Sequence, residues 1–127
     1  MYSSIVENTG DTSYRATIGD YGFTMDTAGR GINPVDGLVA TLCACLGHYV
    51  RDFMHDRRLA YSRFTVEAKA DATADGLRLG DVTVVVAISG ANLDEQQKAD
   101  LLGYLDRCKI HNTLRANSQI TKVVTCR

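Results

Sequence analysis

The feature that most constrains this chain is a run of apolar residues in one predicted helix. Between Leu38 and Tyr49 the only polar side chains are Thr41 and His48. A helix that is apolar nearly all round is a buried helix, because a surface helix needs a polar face. One chain of 127 residues with a few short strands covers such a helix poorly. Two copies that pair through their helices would bury it, so we expect an obligate homodimer.

The residues before this run are typical of a helix start. Asn33 suits the N-cap, Pro34 suits the first helical position, and Asp36 suits the third, where the helix dipole favours an acid. The helix is therefore predicted to begin at Pro34 and to run to about His55 or Arg58.

The first third of the chain has the pattern of β structure. Apolar and polar residues alternate over Tyr14–Ile18, a turn follows at residues 19–22, and a second strand is predicted at Phe23–Met25. This order of strand, glycine-containing turn and strand predicts a hairpin. A short strand at Ser4–Glu7 is expected before it.

The second half predicts three further strands and two further helices. Strict alternation over residues 63–71 predicts a half-exposed strand, and Asp75-Gly76 marks the turn after it. The remaining predicted elements are a more fully buried strand at Val82–Ile88, a helix capped by Asn92 and ending near Arg107, a short helix at Ile110–Arg115 and a strand at Gln119–Thr125. The order β-β-β-α-β-β-α-α-β predicts an α+β fold, with residues 1–127 as a single domain.

Composition and charge exclude several classes of protein. The 14 Lys and Arg against 15 Asp and Glu give a net charge of −1, which argues against a basic nucleic-acid-binding protein. No apolar run reaches the ~20 residues of a membrane span, and no glycine-rich phosphate loop is present. The opening MYSSIVENTGD lacks the basic and apolar regions of a secretory signal. The four cysteines are therefore expected to be reduced thiols of a cytoplasmic protein.

The cysteines are the candidate reactive residues. Cys45 shares a face of the buried helix with Leu42 and Tyr49, where a free cysteine is either a small core residue or a nucleophile. It lies about three turns from the helix start, too far for the dipole to favour a thiolate, so a nearby cation would be needed. Cys43 lies ~200° away around the helix and faces the other side. Cys108 precedes a short helix; it is either a thiol whose thiolate the helix N–H groups favour or an incidental semi-buried cysteine at a helix junction.

The spacing of cysteine and histidine leaves a metal site open as an alternative. Cys45 and His48 are three residues apart, as are Cys108 and His111. Two cysteines and two histidines could form a tetrahedral zinc site. Both pairs lack the turn residues of a zinc finger, and a domain of this size does not need a structural metal. Our leading prediction therefore includes no metal and no other cofactor.

Two cysteine-containing segments carry a resemblance to a known family. Residues 30–45 read RGINPVDGLVATLCAC, and residues 108–114 read CKIHNTL. The first is similar to the G-x-N-P-x-[ED]-x-L-x-A-A-x-x-A-C segment of the OsmC/Ohr family, the osmotically inducible and organic hydroperoxide resistance proteins. The second is similar to that family's C-P-[VI]-x-x-x-L segment. The resemblance covers about residues 14–125 and is nearest to the shorter OsmC-like branch.

The resemblance implies both a fold and a chemistry. The implied fold is an intertwined homodimer with two buried central helices wrapped by β-sheets. The implied activity is thiol-dependent reduction of hydroperoxides, with Cys45 as the peroxidatic thiol and Cys108 as the resolving thiol. An external dithiol would then reduce the disulfide. Neither nucleic acid nor a membrane is expected as a partner of the protein.

The chain departs from the family pattern around the cysteines. The family's peroxidases have an acidic residue directly after the proline, which holds a catalytic arginine; here Val35 stands there, and Asp36 is the nearest acid. Arg15 and Arg30 are the only arginines before the helix, and we favour Arg15, anchored by Asp36, as the activating cation. Lys109 replaces the proline of the second segment.

The sequence as a whole predicts a two-cysteine peroxidase for organic hydroperoxides. Apolar residues near Cys45 should favour an alkyl substrate, and they are Leu42, Leu46, Tyr49 and Phe53. A ligand-binding dimer that kept the fold and the cysteines without catalysis is the main alternative, and a Cys/His metal-binding protein is the second.

Overall fold

A computed structural model of the protein describes residues 1–126. They form two compact units, Met1–Thr41 and the part of the chain from Leu42 onward. Five strands and three helices confirm the predicted α+β class, and they are β1 (Ile5–Glu7), β2 (Ser13–Ile18), β3 (Tyr21–Asp26), α1 (Pro34–Asp56), β4 (Arg63–Lys69), β5 (Thr83–Ser89), α2 (Glu95–Leu105) and α3 (Lys109–Arg115). None of these helices has the length and apolar content that crossing a membrane requires.

Strands β1, β2 and β3 form an antiparallel sheet in that order. Ile18 pairs directly with Tyr21, so the connecting turn contains only Gly19 and Asp20 and is shorter than the predicted turn at residues 19–22. Gly19 has a φ of 57°, which glycine adopts without the steric strain of a side chain. The predicted hairpin and first strand are confirmed.

A buried carboxylate organises the loop after β3. Asp26 accepts hydrogen bonds from the Ala28 backbone N–H at 2.6 Å and from the Thr12 hydroxyl at 3.3 Å. Its own N–H donates to the Ile32 carbonyl at 3.0 Å. These bonds close a tight loop over residues 27–31, which leads directly into α1. The buried Asp26 therefore positions the residues that precede the helix.

Helix α1 begins as its sequence predicts. The Asn33 side-chain oxygen accepts the Val35 backbone N–H at 2.9 Å, which satisfies one of the free donors of the first turn. In the second half of the helix, Gly47 allows a close approach of β4. A Cβ atom at this position would lie 3.4 Å from the Phe64 ring, so a larger side chain would push the strand away.

The unit from Leu42 onward has a core between α1, α2 and one face of the β4–β5 hairpin. Phe64 pairs with Ile88 and Val66 with Val86 across the two strands, and all four pack against the buried helical residues. The prediction that the strand at Val82–Ile88 is more fully buried than the strand before it is wrong, because β4 and β5 alternate in the same way between half-buried and exposed residues. Val85 on the outer face of β5 is 55% exposed, because this two-stranded sheet is covered on one face only. The fully buried side chains of the core are Val50, Phe53, Met54 and Cys108.

The N-cap of α2 is Asp94, and the predicted cap at Asn92 is wrong. The Asp94 carboxylate accepts the Gln97 backbone N–H at 2.7 Å, and the Gln97 side chain accepts the Asp94 N–H at 2.9 Å. This reciprocal capping box satisfies two donors that a cap two residues earlier could not reach. The helix ends at Leu105 and is followed by the predicted short helix α3.

The predicted last strand at Gln119–Thr125 is absent from the described chain. A strand needs a neighbour to pair with its backbone N–H and C=O groups, and neither sheet of residues 1–126 provides one at this place. The apolar side chains of this segment are left uncovered; Ile120, Val123 and Val124 are 79%, 82% and 88% exposed. Within one chain the predicted order therefore ends after α3.

The capping assignment predicts a difference between two variants. Asp94→Ala removes the acceptor of the capping box and should lower the free energy of unfolding by about 1 kcal/mol. Asn92→Ala, the matched control, should change it by less than about 0.5 kcal/mol. Urea denaturation at a fixed protein concentration measures both. An equal effect of the two substitutions would contradict the assignment.

Candidate active site

Two thiols that lie 63 residues apart in the sequence meet in the core. The Sγ atoms of Cys45 and Cys108 are 2.9 Å apart, and the Cys108 thiol donates to the Cys45 sulfur. Both cysteines are free thiols in this structure. The arrangement places two sulfur atoms where a small shift would join them as a disulfide.

The packing of α1 sets the position of Cys45. Leu42 and Leu46 are buried on the inner face of the helix, and Cys45 is half-buried beside them. Cys43 lies on the other side of α1, in a shallow depression of about 460 Å³ against Phe64 and Val66 of β4. The two nearby cysteines therefore face different ways, as the helical spacing predicts.

Cys108 is held at the junction of α2 and α3. Its side chain is 0% exposed, and its sulfur accepts the backbone N–H of His111 at 3.3 Å, which makes it the N-cap of α3. Its own backbone N–H donates to the Leu105 carbonyl at 3.1 Å. The junction thus fixes both the backbone and the sulfur of this residue.

The surroundings of Cys108 favour its protonated form. Burial is the largest effect and raises its pKa, and the hydrogen bond to Cys45 raises the pKa further. The His111 N–H acts in the opposite direction. None of these effects comes from an arginine. Cys108 therefore remains a thiol at neutral pH and serves as the donor, which leaves the Cys45 sulfur as the acceptor of the pair.

Tyr104 connects the C-terminal ends of α1 and α2. Its hydroxyl donates to the Asp56 carboxylate at 2.8 Å, and this bond is the main reason that the pKa of Tyr104 is raised. The Tyr104 ring packs edge-on against the Phe53 ring, with 5.7 Å between the centroids. The Arg107 guanidinium lies over the Tyr104 ring, 3.9 Å from its centroid. This cluster fixes the last turn of α2, which leads to Cys108. The sequence analysis did not identify it, because no local spacing relates residues 56 and 104.

The predicted activating residues lie in the unit Met1–Thr41. Arg15 is exposed on β2, and its guanidinium donates a hydrogen bond to the Thr24 hydroxyl at 3.4 Å. The guanidinium also lies over Gly22, and a side chain at that position would collide with it. Asp36 is exposed in the first turn of α1, and Arg30 is exposed in the loop after β3. Among the ion pairs formed by residues 1–126, none joins Arg15 to Asp36. The roles of these three residues remain predictions.

The histidines of the two Cys-x-x-His pairs do not converge with the thiols as metal ligands. His48 is exposed and lies 3.5 Å from the Asp52 carboxylate, whereas His111 meets the site through its backbone. In the part of the chain that the structure describes, no three His, Cys, Asp or Glu side chains are grouped as a metal ion requires.

A cavity of about 690 Å³ opens between α1, β5 and α2. Leu42 and Leu46, which flank Cys45, form one wall, and His111 lies at another. Phe53 is fully buried in the core and Tyr49 packs against it. Two of the four residues predicted to line the pocket therefore do so. The remaining apolar lining comes from Val82, Val84, Val86, Ile88, Ala91, Leu93, Leu101, Leu102 and Leu105.

Comparison with known proteins gives a family from a sequence model and a fold from solved structures. The family model described as OsmC-like protein matches residues 27–122. Among solved structures, an OsmC-like protein from Mycoplasma pneumoniae is similar, with a TM-score of 0.79 and 18% identity over 92% of this chain and 89% of the other. No curated protein sequence matches the chain.

Two further similar structures have names that refer to hydroperoxides. An organic hydroperoxide resistance protein OsmC from Legionella pneumophila has a TM-score of 0.64 and 16% identity, over 92% of each chain. The organic hydroperoxide resistance protein OhrB of Bacillus subtilis has a TM-score of 0.58 and 17% identity, over 91% of this chain and 92% of the other. At these identities the similarity establishes the fold.

The raised pKa of Cys108 predicts a dependence of stability on pH. The folded protein holds this proton more tightly than the unfolded chain, whose cysteines ionise at a pKa of about 8.5. The free energy of unfolding of the reduced protein should therefore fall as the pH rises above about 8.5, until Cys108 also ionises in the folded state. Urea denaturation with a reductant present, from about pH 7.5 to 9.5, measures this fall. The free energy of unfolding of Cys108→Ala should fall less over this pH range. An equal fall in the variant and the wild type would contradict the prediction.

Proposed function

Because this chain belongs to the OsmC-like protein family, we propose that it reduces organic hydroperoxides with the thiols of Cys45 and Cys108. The observation that carries the proposal is the 2.9 Å contact between the two sulfur atoms. Two cysteines at this separation can exchange between dithiol and disulfide with little movement of the backbone. The names of the Legionella and Bacillus relatives, which refer to organic hydroperoxide resistance, support the same reading.

The proposed reaction has three steps. Cys45 gives its thiol proton to solvent, and the thiolate attacks the distal oxygen of the hydroperoxide and breaks the O–O bond. The alkoxide takes up one proton from solvent and leaves as the alcohol, while Cys45, which now carries the OH group, becomes a sulfenic acid. Cys108 then attacks the Cys45 sulfur, water leaves, and an internal disulfide forms. An external dithiol reduces this disulfide and is itself oxidised.

The two cysteines differ in burial and pKa in a way that supports these roles. Cys108 has no exposed surface and its pKa is raised by burial, so it is poorly placed to meet a substrate as a thiolate. Cys45 is half-buried, and its sulfur accepts the Cys108 S–H hydrogen bond, so it is the more accessible sulfur of the pair. Cys45 is therefore the peroxidatic cysteine and Cys108 the resolving one.

The apolar cavity supports an organic substrate. Its walls are mainly aliphatic and include Leu42 and Leu46 of α1, the neighbours of Cys45, although Cys45 itself is not a lining residue. Each methylene of a substrate buried there would contribute about 0.8 kcal/mol to binding. Hydrogen peroxide gains nothing from such a wall. The discrimination between peroxides would then come from the substrate tail and not from the oxygen atoms.

In the proposed function an arginine activates Cys45, the protein is a homodimer, and it works in the cytoplasm. Arg15 is the first candidate for the cation and Arg30 the second, with Asp36 as an anchor. Uncovered apolar side chains on both sheets and at the start of α1 favour a second copy of the chain; Leu38, for instance, is 44% exposed. Free thiols persist in the reducing cytoplasm, the location that the sequence predicts.

A ligand-binding dimer without catalysis is the second candidate. Two observations favour it: the cavity could hold an apolar ligand by itself, and within the described chain Arg15 forms no ion pair with Asp36. Such a protein would bind apolar molecules and leave peroxides unchanged.

Substitution of single cysteines separates the proposed roles. Cys45→Ser should abolish the consumption of cumene hydroperoxide, because the nucleophile is lost. Cys108→Ser should still react once and accumulate a sulfenic acid on Cys45, which a dimedone adduct and its mass would reveal. Cys43→Ser is the matched control on the same helix and should retain consumption. Unchanged turnover in Cys45→Ser would reject the mechanism.

The activating cation is tested with two arginine variants. Arg15→Ala should slow the reaction of Cys45 with cumene hydroperoxide at least tenfold, equivalent to about 1.4 kcal/mol, because the thiolate loses an opposite charge. Arg30→Ala, in the loop, should have a smaller effect. Stopped-flow rates under single-turnover conditions measure both. If neither variant is slower than wild type, the arginine hypothesis fails.

The dimer is tested by mass in solution. Light scattering on a sizing column should give about twice the chain mass of 13.9 kDa, since a second copy covers the apolar faces that one chain leaves exposed. A stable monomer at micromolar concentration would contradict the dimer and require another partner for those faces.

A further inference from the structure

We infer that the reductant of the oxidised protein attacks the sulfur of Cys45 and releases Cys108, so that reduction passes through a mixed disulfide on Cys45. The inference rests on the proposed two-cysteine function and extends it to the reducing half of the cycle. In that half a disulfide has two sulfur atoms that a thiolate could attack, and the general chemistry leaves the choice open.

Burial of the two sulfur atoms differs. Cys108 is 0% exposed and belongs to the same buried cluster as Leu101 and Leu105. The bonds of its sulfur to the His111 N–H and of its backbone to the Leu105 carbonyl hold it at the α2–α3 junction. Cys45 lies half-buried on α1. An attacking thiolate must approach the sulfur that it will bind, on the side away from the leaving sulfur, so access favours Cys45.

Acid strength favours the opposite choice. Burial raises the pKa of Cys108, and a thiol of higher pKa is the slower leaving group. Exchange rates change only about threefold per pKa unit for the attacking sulfur, and a similar dependence is expected for the leaving one. Attack on Cys108, by contrast, requires the α2–α3 junction to open, which multiplies the rate by the small population of the open state. Access therefore decides between the two sulfurs.

The released Cys108 also limits which reductants succeed. It lies beside Cys45, 2.9 Å away in the reduced protein, and can displace a monothiol from the mixed disulfide and restore the internal disulfide. A dithiol avoids this reversal, because its second thiol attacks its own bound sulfur and Cys45 leaves as a thiolate. In this reaction the dithiol gives up two electrons and two protons and becomes a disulfide, and the protein regains two thiols.

The attacked sulfur can be identified with a monothiol probe. The double variant Cys43→Ser/Cys126→Ser keeps only the two thiols of the site, and diamide oxidises them to the disulfide. The oxidised protein is mixed for milliseconds with glutathione at a concentration high enough to keep the mixed disulfide populated against its reversal by the released thiol. It is then quenched in acid that contains dithiodipyridine, which labels the released thiol. Pepsin digestion and mass spectrometry then locate both labels. We expect at least ten times more glutathione on Cys45 than on Cys108, with thiopyridine on Cys108.

The same oxidised variant, unfolded in guanidinium, is the control for intrinsic reactivity and should carry glutathione on both cysteines in similar amounts. Glutathione mainly on Cys108, or equal labelling in the folded protein, would overturn the inference. An intact disulfide in the folded protein while the unfolded one reacts would overturn it too. Diamide forms the disulfide without peroxide, so consumption of cumene hydroperoxide by the same variant tests the proposed function separately.

Discussion

The packing of the inner face of α1 is the constraint on which the described site depends. Val50, Phe53 and Met54 are fully buried there, and truncation of a buried phenylalanine such as Phe53 to alanine typically costs about 3–5 kcal/mol. That is a large share of the ~5–15 kcal/mol that holds a domain together. The same face fixes Cys45 next to Leu42 and Leu46. A helix so firmly packed gives the reactive thiol one defined position.

The second half of the site depends on how α2 docks against this helix. Leu101 and Leu105 enter the common core, and the hydrogen bond from Tyr104 to Asp56 joins the ends of the two helices. Cys108 follows directly and caps α3. The site therefore consists of two thiols on separately anchored elements, one partly accessible and one enclosed. This difference in access underlies both proposed roles, since substrate and reductant meet the same sulfur while the other acts only from within.

Local signals predict most of the fold. The cap and proline at Asn33-Pro34 and the glycine turns are interactions between near neighbours, and the structure confirms the elements that they indicate. The errors arise where longer-range packing decides. The burial of β5 depends on whether other elements cover one of its faces or both. The conformation of residues 119–125 depends on whether a strand lies beside them to pair with. The cap at Asp94 was missed because Asn92 is an equally good cap by residue type, and the Gln97 side chain decides between them.

The site was predictable only in part. Helical spacing places Cys43 and Cys45 on different sides of α1, but no spacing rule brings Cys108 to Cys45 across 63 residues. That pairing came from the resemblance to the OsmC/Ohr family. The cluster around Tyr104 and the cavity above β5 have no local signature, since they are formed by residues distant in sequence. The roles of Arg15, Arg30 and Asp36 rest on the resemblance alone.

The central claim is that peroxide drives Cys45 and Cys108 into one internal disulfide, and intact mass with peptide mapping tests it most directly. Reduced protein treated with one equivalent of cumene hydroperoxide should lose the mass of two hydrogen atoms, and digestion without reductant should release one cross-linked pair of peptides containing Cys45 and Cys108. An unchanged mass after treatment, or a bridge from Cys108 to Cys43, would contradict the account.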